Sequence, residues 1–136
     1  MSAQLAQRML ALAAIALLGG VGGYALASRG STPKPTRALP HPVAWYSASA
    51  GVRAKGGYGR RSVCGIVLTD LTLGVVHPVL PCGAKIFISF RGKQVLTEVV
   101  DRGPVAPPRE FDLTEGLAQR LGLHAVQRIR WSFAGG

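Results

Sequence analysis

Val95-Leu96-Thr97-Glu98-Val99-Val100-Asp101-Arg102-Gly103-Pro104 reads as a strand that stops on an acid. Val95, Thr97 and Val99 alternate with Leu96, Glu98 and Val100, a largely β-branched pattern at the two-residue period of a strand. Arg102-Gly103-Pro104 then makes a turn, because glycine accepts positive φ and proline cannot continue the pairing. An acid so placed either caps its own turn or is held by a rigid sheet at the edge of a groove. Asp101 is therefore the first residue to follow.

Just upstream, Lys85-Ile86-Phe87-Ile88-Ser89-Phe90 alternates in the same way, and Arg91-Gly92 is a turn that predicts a hairpin with residues 93–101. Arg128-Ile129-Arg130-Trp131-Ser132-Phe133 alternates polar with apolar and should close the sheet with one face in the core. Val43-Ala44-Trp45-Tyr46 reads as the first strand, and residues 51–61 as a Gly-rich basic loop without periodicity. Short strands with no long helices between them predict a mainly β fold closed into a small barrel, which leaves no exposed edge. One helix interrupts it: Leu113, Leu117 and Leu121 form a stripe, Thr114 or Asp112 can cap its start, and Gly122 can end it. Asp112 is thus either a structural cap or a catalytic acid, and Glu115 is a first-turn charge favoured by the helix dipole.

The 136 residues are enough for one domain. Arg8 precedes an uncharged apolar run over residues 9–27 that ends in Ala25-Leu26-Ala27, a cleavage pattern, so residues 1–28 read as a secretory signal peptide or an uncleaved membrane anchor. Pro33, Pro35, Pro40 and Pro42 make residues 29–42 an extended spacer in which His41 is a solvated residue. Residues 43–136 are then the folded domain. Cys64 and Cys82 are the two cysteines, and export places them in an oxidising space, so they are expected to form a disulfide rather than a zinc site. A formal charge of +10 favours a polyanionic partner, and export turns that preference from nucleic acid towards an acidic wall polymer.

The ordered set Ala44-Trp45-Tyr46, Cys64-Gly65, residues 73–84 with His77-Pro78 and Cys82-Gly83, Asp101-Arg102-Gly103-Pro104, and Phe111-Asp112-Leu113-Thr114 resembles the double-psi β-barrel domain of the rare lipoprotein A (RlpA-like) family. The paired-cysteine form resembles its actinobacterial branch. The resemblance implies a six-stranded barrel whose groove binds peptidoglycan glycan strands, in a family that includes lytic transglycosylases. It further implies Asp101 as acid/base and His77 as its assistant. Tyr46 would be a sugar platform in the groove, with Trp45 turned to the core, because alternation lets only one of two adjacent rings face inward. Arg61 and Arg102, with Arg53, Lys55 and Arg60, are candidate contacts for a wall rich in carboxylates and phosphates. The expected protein is a monomer that needs no cofactor or metal.

One position departs from the resemblance. Family enzymes carry a glutamate after the glycine matched by Gly65, and here that residue is Ile66. An aspartic acid at its ordinary pKa is protonated in about one molecule in a thousand at pH 7, a penalty of roughly 4 kcal/mol for an acid catalyst. Without the second acid, something else must favour the protonated form. A non-catalytic glycan-binding barrel is therefore the alternative.

Overall fold

The structure, a computed structural model, describes residues 34–136. The apolar run at residues 9–27, expected to export or anchor the chain, lies outside them. Residues 37–136 form one compact unit, while residues 34–36 belong to the unit before it and have no regular structure. Seven strands and one α-helix follow: β1 (His41–Pro42), β2 (Tyr46–Val52), β3 (Val75–Val76), β4 (Lys85–Phe90), β5 (Lys93–Asp101), β6 (Phe111–Leu113), α1 (Glu115–Leu121) and β7 (Gln127–Gly135).

Six of these strands close a barrel in the order β7-β2-β6-β3-β5-β4, with β4 pairing back to β7. Two pairings, β2 with β6 and β3 with β5, are parallel, and the others in the barrel are antiparallel. The predicted hairpin is present, with Phe90 opposite Lys93 and the two turn residues Arg91 and Gly92 both at positive φ, the backbone twist that two-residue hairpin turns favour. β1 adds to the far end of β7, so His41 lies opposite Gly135 and the ordered unit begins within the proline-rich stretch.

The first barrel strand differs from the expectation. It begins at Tyr46 rather than ending there, and runs through Ser47, Ala48, Ser49 and Ala50 to Val52. Ala48 and Ala50 are buried with Ile129, Phe111 and Leu113, so the inward positions hold small side chains where two neighbouring strands supply the bulk. Alanine and serine have weak strand propensity, and packing overrides it here. The helix behaves as predicted at both ends: Thr114 Oγ1 accepts the Leu117 N–H at 3.4 Å, and Gly122 stops it at φ 73°. Asp112 is not the cap. It sits inside β6, two residues before Thr114.

Cys64 and Cys82 are bonded, with their Cα atoms 5.4 Å apart. The bridge ties the Ser62–Ile66 turn, closed by the Ser62 N–H to Ile66 carbonyl bond at 2.8 Å, to the segment that leads into β4. Replacing both cysteines by serine should lower folding stability by about 3 kcal/mol, chiefly by freeing the unfolded chain. Urea unfolding of the oxidised protein and the variant checks this, and equal midpoints would refute it.

Candidate functional site

Four residues on adjacent strands stand in one row across the barrel wall: Gly51 in β2, Asp112 in β6, Val76 in β3 and Asp101 in β5. Neighbouring strands are about 4.8 Å apart, which puts the two aspartate Cα atoms roughly 10 Å from each other with Val76 between them. Strict alternation would have sent Asp101 into the core after Val99. The register slips instead, since Val75 pairs with Val99 and Val76 with Asp101, leaving Val100 as an extra residue. This bulge turns the carboxylate out of the core series. Val100 itself fills the space where Gly74 has no side chain, and a Cβ at Gly74 would overlap it.

Arg53, the first residue after β2, faces this row. Its Nη2 lies 2.8 Å from Asp101 Oδ2, and Asp101 is 3% exposed. The other carboxylate oxygen, Oδ1, accepts the Arg102 N–H at 2.8 Å and the Val63 N–H at 3.3 Å. Val63 adjoins Cys64, so the disulfide-tied turn supplies one of the donors. Asp101 borders a cavity of about 260 Å³ whose wall also holds Arg53, Arg60, Arg61 and Val63. The Arg61 guanidinium donates to the Gly65 carbonyl at 2.6 Å.

Asp112 is in a different state. It is 5% exposed, and its Oδ1 is sealed from solvent with no hydrogen bond. Arg109 Nε lies 3.3 Å from that oxygen but points its N–H at the Ala106 carbonyl, so the contact is an ion pair without hydrogen-bond geometry. Burial raises the Asp112 pKa, and the positive charges of Arg109 and Arg53 act against the rise. Arg109 can lie across the row because position 51 is glycine: a Cβ there would fall 2.6 Å from Arg109 Cδ. Asp112, Arg53 and Arg109 border a second cavity of about 360 Å³, and Arg53, Gly56 and Gly57 are common to both. A larger one, about 530 Å³, is lined by Lys55, Tyr58, Asp70, Glu115 and Gln119 and touches neither aspartate of the row.

His77 donates its backbone N–H to the Asp101 carbonyl at 3.1 Å, yet its imidazole has other company. The ring lies 4.6 Å from that of Phe111, and Nδ1 accepts the N–H groups of Val79 and Leu80 at 3.1 and 3.0 Å. The neutral Nε2–H tautomer fits these contacts. Burial lowers the His77 pKa below its ordinary 6.5, with Glu110 opposing. The unfolded state therefore takes up the proton first, and stability should fall as pH drops below 6.5 until the lowered folded value is passed. Urea midpoints at pH 7.5 and 5.5 should show that fall, and His77→Asn should remove most of it. An unchanged fall in the variant would assign it elsewhere.

The remaining sequence candidates are spread out. Arg102 reaches Asp101 through its backbone, while its guanidinium donates to the Val79 carbonyl at 3.2 Å. Tyr46 is half exposed and stacks on Trp131 at 5.1 Å, but it lies at the opposite end of β2 from Arg53, about 23 Å along the strand. Trp45 does not enter the core: it is half-buried beneath the Arg130 guanidinium, and Phe111 and Trp131 supply the inward rings. The pairing of Arg53 with Asp101 has no periodic signal, and Arg109, which the sequence reading missed, is marked there only by the general basic excess.

No protein-family model matches the chain. It is similar to the probable endolytic peptidoglycan transglycosylase RlpA of Synechocystis sp., 32% identical over 72 residues that make up 52% of this chain and 22% of that protein. It is also similar to the endolytic peptidoglycan transglycosylase RlpA of Yersinia pestis, 28% identical over 89 residues, 64% of this chain and 24% of that one. The chain thus spans about a quarter of the length of these curated relatives. Among solved structures, the Streptomyces papain inhibitor aligns with a TM-score of 0.52 at 19% identity, over 68% of this chain and 96% of its own, a likeness of fold. The folded unit is thus a six-stranded barrel that, over about half of the chain or more, is similar in sequence to the double-psi β-barrel proteins named RlpA.

Proposed function

We propose that this barrel acts outside the cytoplasm on the glycan strands of peptidoglycan, cleaving them as a lytic transglycosylase in the cleft around Arg53. The observation that carries the reading is the buried Arg53–Asp101 pair, set by a bulge at the edge of a cavity lined with further arginines. The ordered sequence match to RlpA transglycosylases supports the substrate class, and the disulfide suits an oxidising compartment. Export or anchoring by residues 9–27 belongs to the same proposal.

In this reading the sugar's own hydroxyl replaces water as the nucleophile, so the site needs a proton donor and a negative charge beside the developing oxocarbenium ion. Asp101 supplies the charge, since it accepts three N–H groups and keeps that role through the reaction. His77 is a positioning residue that fixes the β3–β5 register beside Asp101 through its backbone and the Pro78–Leu80 turn through its ring. Arg60 and Arg61 hold wall carboxylates, and Tyr46 on Trp131 offers a sugar platform farther along the strand.

A second reading is favoured by one residue. Ile66, half-buried in the disulfide-tied turn, stands where the resemblance expects an acid, which suits a barrel that binds glycan without cutting it. Digestion of purified peptidoglycan by the whole chain, followed by mass spectrometry, separates the two. Fragments with anhydro ends, lost in Asp101→Asn, support cleavage. Sedimentation with the insoluble wall and no released product supports the binder.

A further inference from the structure

Resting on the transglycosylase reading, we infer that Asp112 is the proton donor of the cleft, filling the part left open at position 66. Four observations lead there. Asp112 lies between the core residues Phe111 and Leu113 in a three-residue strand, on the opposite face, in the row with Gly51 and Asp101. Its Oδ1 is buried without a hydrogen bond, a state that costs free energy and that native structures seldom keep without use. Thr114, not Asp112, caps α1, so helix capping does not account for Asp112, and its ion pair with Arg109 lacks hydrogen-bond geometry. Asp112 also borders a cavity lined by Arg53, the residue that pairs with Asp101 two strands away.

The contrast between the two carboxyl groups divides their work. Asp101 is surrounded by three N–H donors, one of them charged, whereas Asp112 has no hydrogen bond to its buried oxygen, and burial pushes its proton affinity up. Two carboxyl groups in contrasting surroundings are the usual arrangement of an acid beside a charge. Asp112 borders a cavity of about 360 Å³ that it shares with Arg53 and Arg109. That volume is within the range of small-molecule sites, roughly 300–1,000 Å³.

The step balances without a co-reactant. As the bond between C1 and the glycosidic oxygen breaks, the Asp112 proton passes to that oxygen, and the leaving sugar departs as an alcohol. The C6 hydroxyl oxygen of the remaining sugar bonds to C1, closing the anhydro ring. Its proton goes to the Asp112 carboxylate and restores the acid. Arg53, held by Asp101, stays in place throughout.

The test compares the whole chain with Asp112→Asn and Asp112→Glu in peptidoglycan digestion across a pH series. Asp112→Asn should lower turnover by on the order of 10²- to 10⁴-fold, with co-sedimentation on insoluble wall unchanged and the thermal midpoint unchanged or raised. Asp112→Glu should keep part of the activity and move the high-pH limb, where a proton donor is lost. If the parent releases anhydro products and Asp112→Asn does so equally fast, this inference fails while the transglycosylase reading stands. If the parent releases none, that reading fails and takes the inference with it. Should Asp112→Asn not fold, carboxyl carbon NMR of the parent decides: an Asp112 resonance still ionised at the pH of greatest activity overturns the assignment, and a protonated one upholds it.

Discussion

Arg53→Ala is expected to lower folding stability by about 3–5 kcal/mol, because it leaves the Asp101 carboxylate buried beside two backbone N–H groups with no countercharge. The side chains are 19% and 5% exposed, so solvent screening relieves little of that cost. Removing both charges tells the pair apart from its parts. Arg53→Met with Asp101→Leu should regain most of the loss, since apolar replacements of similar volume often match a buried ion pair. Arg53→Lys should fall between, as an ammonium on a flexible stem replaces a planar fork. Urea unfolding of the four proteins measures the coupling. An Arg53→Ala barrel as stable as the parent would mean that Asp101 is not held as the geometry shows.

Phe111→Ala should cost a similar amount, about 3–5 kcal/mol for emptying a buried aromatic site. Phe111 is 1% exposed, opens the short β6, and touches the rings of His77 and Trp131 at 4.6 and 5.5 Å. β6 has only three residues between β2 and β3, so little else seats it. The same substitution should loosen Asp112, the next residue, and shift the fluorescence of Trp131. Phe111→Leu, which keeps most of the volume, should lose far less. Equal thermal midpoints for parent and Phe111→Ala would show that β6 is held by its backbone pairing alone.

The parts of the barrel that the sequence announces are those with enough length for a period to form. Lys85 to Asp101 alternates over a whole hairpin, and Thr114 and Gly122 mark the helix ends by side-chain chemistry that needs no tertiary context. β3 and β6, with two and three residues, are too short to show any period, and they supply the two middle members of the row of the site, Val76 and Asp112. Asp112 reads as a cap because it lies two residues before a helix, and the hydroxyl of Thr114 takes that role instead. The turn of Asp101 away from the core depends on an extra residue opposite β3, which alternation along β5 alone hides. Arg53 comes from a loop without pattern, and only the folded chain brings it to Asp101.

Digestion of insoluble peptidoglycan in water enriched in heavy oxygen distinguishes the two reactions, since transglycosylation draws its nucleophile from the sugar and hydrolysis from the solvent. Released fragments should carry no heavy oxygen at the cleaved end and be lighter by one water than hydrolysis products. Labelled reducing ends, or a wall that binds the protein and yields no fragments, would contradict it.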